Sequence, residues 1–153
     1  MEVLIRPDAD SAARLTAKVI QRDLMKKPNL VLGLATGRTM EIVYDKLAEM
    51  HKKEKLDFSL VRTFNLDEYI GLPPEDHGSY RYYMNKHLFS RINIDLRNTN
   101  IPIGEAEDVD AECVRYEEKI ARCGGIDLQL LGIGRDGHIG FNEPLSALRS
   151  VTR

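Results

Sequence analysis

Short apolar runs of strand length alternate with amphipathic helical stretches along almost the whole chain, and this alternation limits the fold more than any other feature. The runs fall at residues 3–5, 30–34, 60–66, 126–133 and, more weakly, 100–103. Between them, residues 10–25 carry Ala12, Leu15, Val19 and Leu24 on one helical face, and residues 39–51 carry Ile42, Val43, Leu47 and Met50 likewise. Ser79 is placed to cap a third helix with Tyr80, Tyr83, Met84, His87 and Leu88 facing inward. Asp110 is placed to cap a fourth, with Cys113, Tyr116 and Ile120 on one stripe and Gly124-Gly125 as its stop. Strand–helix–strand order needs crossover connections, which favour a parallel sheet covered on both faces. The expectation is a doubly wound α/β fold, mostly parallel and Rossmann-like, in a single domain over residues 1–153.

Composition narrows the partners. Lys and Arg number 22 against 24 Asp and Glu, a net charge of −2, which gives no electrostatic reason to expect nucleic acid. The apolar runs are too short to cross a bilayer, and residues 1–7 lack a basic leader followed by a long apolar stretch, so a soluble, cytoplasmic protein without a membrane partner is expected. Cys113 and Cys123 fall on one predicted helix about 15 Å apart, beyond disulfide reach, and read as reduced packing residues. Residues 70–78, with Gly71, Pro73, Pro74 and Gly78, read as a surface loop.

Ligands of open α/β sheets bind beyond the carboxyl ends of the strands, and three loops with chemical potential follow predicted strands. The first is Gly33-Leu34-Ala35-Thr36-Gly37-Arg38-Thr39-Met40, running from a strand into a helix. Close backbone approach, two hydroxyls and the free amides of a helix start suit a phosphate. The spacing matches neither the Walker pattern nor the dinucleotide fingerprint, and a plain turn with Thr39 as cap is an equal alternative. The second is Phe64-Asn65-Leu66-Asp67-Glu68-Tyr69. Adjacent carboxylates on extended chain point to opposite sides, so only one readily faces a pocket; taken alone, two solvated acids are the commoner arrangement.

The third loop, Gly134-Arg135-Asp136-Gly137-His138-Ile139-Gly140-Phe141-Asn142-Glu143-Pro144, packs an imidazole between two carboxylates within eight positions. Histidine titrates near neutrality and needs a fixed partner to hold one tautomer, so the cluster suits acid/base work; a structural histidine in a glycine turn is the plainer alternative. His51 at a helix end, His87 on a helix face and His77 in the irregular loop carry less weight. Asp136, His138 and Glu143 are also potential metal ligands, but no paired cysteines or His-Glu-x-x-His helix accompany them. No Gly-x-Ser-x-Gly elbow is present.

Taken together, Gly33 to Gly37, Phe64 to Tyr69 and Gly134 to Pro144 resemble the signature of the glucosamine-6-phosphate deaminase family, also called glucosamine-6-phosphate isomerases, and residues 110–119 are similar to it too. The resemblance implies conversion of glucosamine 6-phosphate and water to fructose 6-phosphate and ammonia, with neither metal nor organic cofactor. It implies that Asp67 is the base moving a proton between C2 and C1, and that His138 opens the pyranose ring with Asp136 and Glu143 as partners. Thr36, Gly37, Arg38 and Thr39 fall at the phosphate-loop positions, where the family usually reads Thr-Gly-Gly-Thr-Pro; here Arg38 and Met40 replace the second glycine and the proline.

The family continues past the position of Arg153 with further strands and helices, and with an arginine and a lysine that hold the sugar phosphate. The resemblance therefore implies a chain lacking those elements, with an unpaired sheet edge or apolar face that either needs another chain, such as a second copy, or invites aggregation. Ser146 and Arg153 match positions that bind the activator N-acetylglucosamine 6-phosphate in allosteric members, and Val151 replaces the arginine of the usual Ser-Arg-Thr. Three other functions remain open. One is 6-phosphogluconolactonase, which shares the fold and a similar Asp-Gly-His loop; the others are a non-catalytic phosphosugar-binding module and an inactive fragment.

Overall fold

A computed structural model describes residues 2–143, 145–147 and 151–153. Pro144, the last residue of the third motif, and Ser150, the first of Ser-Val-Thr, lie outside the described residues.

Four parallel strands form one sheet in the order β3-β2-β1-β4: β1 (Val31–Leu34), β2 (Arg62–Asn65), β3 (Thr99–Asn100) and β4 (Leu128–Gln129). Register runs Val31 to Arg62 and Leu34 to Asn65 between β1 and β2, Thr63 to Thr99 between β2 and β3, and Leu32 to Leu128 between β1 and β4. All four residues of β1 are buried, as a strand covered on both faces requires.

Helices α1 (Ala9–Lys26), α2 (Arg38–Glu54) and α3 (Tyr80–His87) share the larger apolar core on one face of the sheet. Helix α4 (Val109–Arg122) covers the other face, where Tyr116 packs with Val31 and Phe64, its ring edge-on to Phe64 at 5.7 Å. The doubly wound α/β expectation thus holds. Helix α1 begins with a capping box between Asp8 and Ser11 and buries Ala13, Ala17, Ile20 and Leu24, spaced by four, three and four residues; of the expected stripe Ala12, Leu15, Val19 and Leu24, only Leu24 is fully buried and Ala12 is exposed. Burying each Leu or Ile side chain is worth about 1.5–3 kcal/mol.

Four further expectations need correction. Residues 3–5 form no strand: Val3, Leu4 and Ile5 are exposed and, among the described residues, pair with neither edge of the sheet. The fourth helix is capped by Asp108, whose side chain accepts from the Ala111 N–H, while Asp110 sits in the first turn, where its charge suits the helix dipole. The second helix is capped by Gly37 without a side-chain bond, so Thr39 is no cap. Both cysteines are unpaired but only half-buried, and Cys123 alone packs against the Tyr116 cluster. Ser79 does cap α3, accepting from the Tyr82 N–H at 3.0 Å.

Among the described residues no helix is long and apolar enough to cross a membrane. Among the described residues, strand β4 pairs with β1 alone, and Leu131, Ile133, Phe141 and Leu145 beyond it are exposed.

Candidate active site

Because every strand runs the same way, the loops after β1, β2 and β4 leave the sheet at one rim. They meet around a cleft of about 220 Å³ whose walls include Thr36, Gly37, Arg38 and Thr39 from the first loop, Asp67 from the second and His138 from the third. Tyr80, at the start of α3, completes the wall.

The first loop is fastened from two sides. Fully buried Tyr44 of α2 donates its hydroxyl to the Ala35 carbonyl, and Tyr83 of α3 donates to the Gly37 carbonyl at 2.8 Å. Gly37 carries φ +110° as the residue before the helix, and Arg38 is already its first helical residue. The left-handed conformation therefore falls on Gly37, and Arg38 fits without backbone strain. With no side chain capping α2, the opening amides and the Thr36 and Thr39 hydroxyls stand at the cleft beside the exposed Arg38 guanidinium, a combination suited to an anion.

The two acids after β2 take separate directions. Asp67 lines the cleft, and burial, with the neighbouring Glu68 charge adding to it, pushes its carboxyl up to about 6. Glu68 turns away and accepts hydrogen bonds from the backbone N–H groups of Tyr80 and Arg81 at 2.7 and 2.9 Å.

In the third loop, His138 Nδ1 lies 2.6 Å from Asp136 Oδ1, which also faces the His138 backbone N–H at 3.3 Å. The second contact leads in holding Asp136 below the usual carboxylate range, so an ionised carboxylate accepts and Nδ1–H donates. The turn closes through the Gly134 N–H to the His138 carbonyl at 2.8 Å and the Gly137 N–H to the Gly134 carbonyl at 3.0 Å. A Cβ on Gly134 would collide with the His138 ring and the Asp136 carboxylate, so only glycine lets the ring lie there.

Asp136, His138 and Glu143 bring their donor atoms within 4.8 Å of one another. The Asp136–His138 contact is shorter than the roughly 3.3 Å separating two ligands of a tetrahedral zinc, and describes a hydrogen-bonded acid/base pair as it stands. Of these three, His138 lines the cleft and Asp136 and Glu143 do not.

A second cleft of about 340 Å³ adjoins the first and shares Leu66, Asp67, Gly140 and Phe141 with it. Arg153 lines this second cleft and donates to Asn142 Oδ1 at 3.1 Å. Ser146 lines neither cleft; its N–H donates to the Glu143 carbonyl at 3.0 Å.

The roles of Tyr44, Tyr83 and Glu68 had no signal in the sequence. Inward-facing tyrosines at helical spacing read as core whether or not their hydroxyls reach a loop, and the Glu68 bonds span twelve and thirteen positions.

Residues 8–140 match the family model described as glucosamine-6-phosphate isomerases/6-phosphogluconolactonase. A glucosamine-6-phosphate deaminase of Halothermothrix orenii is 53% identical over 152 residues, covering 99% of this chain and 63% of its own length. A solved monomeric glucosamine-6-phosphate deaminase superposes with a TM-score of 0.96 at 43% identity, covering 98% of this chain and 62% of that one. The 6-phosphogluconolactonase of Thermotoga maritima superposes with a TM-score of 0.74 at 27% identity, covering 92% and 62% respectively. This chain thus spans about three fifths of the length of the relatives it matches. The family model and the motifs that converge at the cleft agree: the chain belongs to the glucosamine-6-phosphate isomerase/6-phosphogluconolactonase family.

Proposed function

We propose that this chain carries the acid/base and phosphate-loop portion of a glucosamine-6-phosphate deaminase. The observation that carries the reading is that Asp67 and His138, from loops after two different strands, line one cleft with the open start of α2. The phosphate of glucosamine 6-phosphate sits against residues 36–39, where amides, hydroxyls and the Arg38 guanidinium face it. His138, oriented by Asp136, with Glu143 close by, moves the proton that opens the pyranose ring. The aldehyde then acidifies the C2 hydrogen. Asp67 takes that proton and returns it to C1 while the substrate's ammonium group gives one proton to O1, leaving a C1 hydroxyl and a C2 iminium; water adds at C2, the C–N bond breaks, and fructose 6-phosphate and ammonia leave. A carboxyl at about 6 is ionised at neutral pH yet basic enough to act, which suits this step.

The deaminase reading is preferred to a lactonase because relatives at 49–53% identity are glucosamine-6-phosphate deaminases, whereas the solved lactonase cited above is 27% identical. Lactone hydrolysis also needs no carboxylate base for a C–H bond. The same reading assigns Ser146 and Arg153 to an N-acetylglucosamine 6-phosphate site completed by residues from outside this chain. It also expects self-association over the exposed side chains beyond β4, and a cytoplasmic setting, where phosphorylated sugars are held.

A coupled ammonia assay on the 153-residue chain with glucosamine 6-phosphate, run beside a mass measurement of its assembly, tests the reading. Ammonia release that disappears in Asp67→Asn and slows in His138→Gln is expected. Unchanged rates in both variants overturn the assignment. Calorimetric binding without ammonia points instead to a phosphosugar-binding module, and no binding at any concentration to an inactive fragment.

A further inference from the structure

The proposed chemistry uses Asp67 and leaves Glu68 without a task, although Glu68 is tied into the site more tightly than a surface acid would be. Its Oε1 accepts from the backbone N–H groups of Tyr69 at 2.9 Å and Tyr80 at 2.7 Å, and its Oε2 accepts from that of Arg81 at 2.9 Å. Tyr80 and Arg81 open α3, where backbone amides lack partners inside the helix. Ser79 takes the Tyr82 amide, so Glu68 and Ser79 divide the first turn between them. Charge-assisted bonds to a helix start are the stronger kind, and the helix dipole adds to them.

The clamp fixes both ends of the irregular segment 70–78, which is tied further by the Gly71 N–H donating to the Gly104 carbonyl at 2.7 Å. Asp67 lies one peptide unit before the clamp. With the α3 amides occupied by Glu68, the Asp67 side chain has the cleft as its direction.

We infer that Glu68 is a positioning residue for Asp67: it staples the segment after β2 to the start of α3, holding the Asp67 carboxylate into the cleft beside a fixed negative charge. The role in deamination rests on the function proposed above, whereas the geometry does not. The groups facing Asp67 are Glu68 on its own loop, Tyr80 of α3 and Tyr116 of α4. His138 and Arg38 share its cleft, and Glu117 and Arg153 line the adjoining one. Burial is the first cause of the raised Asp67 carboxyl and the Glu68 charge the second.

The test reads Asp67 directly, by carbon-13 NMR titration of the full chain with labelled aspartate, the signal assigned by its loss in Asp67→Asn. Glu68→Gln keeps the size, removes the charge and turns an NH2 toward one of the three backbone donors. The Asp67 midpoint is expected to fall by roughly half a pH unit or more, and the Tyr80 and Arg81 amides to exchange faster. A purely structural Glu68 would lower the melting temperature and leave the midpoint where it was. Glu68→Asp, which shortens the reach, serves if the first variant does not fold, and its released Asp67 is likewise expected to titrate lower. An unmoved midpoint in a folded variant, or a parent midpoint already near the ordinary aspartate value, overturns the inference. Ammonia release is not the readout, so the outcome is separate from that of the deaminase reading.

Discussion

His138 Nδ1 sits 2.6 Å from Asp136 Oδ1, and this leaves Nε2 as the ring nitrogen free to exchange a proton in the cleft. Asp136 itself is exposed, so its worth lies in selecting the tautomer and aiming the ring more than in stabilising the fold.

Asp136→Asn is therefore expected to slow turnover of glucosamine 6-phosphate by roughly a hundredfold, the scale of a lost general acid/base contribution. The melting temperature should stay put. Parallel kinetics and thermal melts check this, and a variant that unfolds early while retaining its turnover number contradicts it.

The raised carboxyl of Asp67 has a stability consequence of fixed sign. Its value rises from 3.8 to about 6 in the folded chain, so the native state binds the proton more tightly and ionisation opposes folding. The favourable contribution is complete below the unfolded value and is lost as pH climbs through about 6. Asp67→Asn should melt at a higher temperature than the parent at pH 7.5 and close to it at pH 4, while losing the proposed deaminase activity altogether. A gain confined to acid pH would mean the opposite sign. In the parent, the acid limb of the rate profile is expected near pH 6, where Asp67 becomes protonated.

The helices themselves were legible because burial imposes periodicity, but the inward face of α1 was not: Ala13, Ala17, Ile20 and Leu24 are buried, whereas Ala12 of the expected stripe is exposed. Convergence of Thr36, Asp67 and His138 was legible for a topological reason, since loops after parallel strands share a rim. What failed depended on a partner the sequence does not name. The apolar run at residues 3–5 looks like a strand, yet a strand exists only where a ladder receives it. Asp108 and Asp110 carry the same side chain two positions apart, and only the path of the incoming chain decides which accepts from the helix. Tyr83 reads as core from its helical spacing, yet its hydroxyl reaches Gly37 across 46 positions.

That last bond and its counterpart from Tyr44 make the loop proposed to hold phosphate separable from the proposed chemistry. Tyr83→Phe removes one neutral hydrogen bond to the Gly37 carbonyl and should weaken inorganic phosphate roughly two- to tenfold, raising KM with little change in kcat. Tyr44→Phe leaves a buried carbonyl at Ala35 unpaired and should cost about 1–3 kcal/mol of stability. Denaturant melts and phosphate titrations distinguish the two; equal effects of both variants on stability and on affinity would remove the distinction.

Arg38 is where this chain departs from the family's usual loop, and its position decides what the departure does. Gly37 carries the positive φ, so Arg38 costs the backbone nothing and adds a mobile guanidinium at the helix start. A phosphate there meets amide dipoles in either case, but the guanidinium adds a full charge and paired donors. Arg38→Gly, which restores the family's residue, should weaken phosphate binding about tenfold and flatten its dependence on ionic strength, because an exposed charge is the part that salt screens. If the guanidinium instead obstructs the loop, the glycine variant binds phosphate more tightly at every salt concentration. Titration at two ionic strengths separates the outcomes, and tighter binding with an unchanged salt dependence would assign Arg38 to blocking the site.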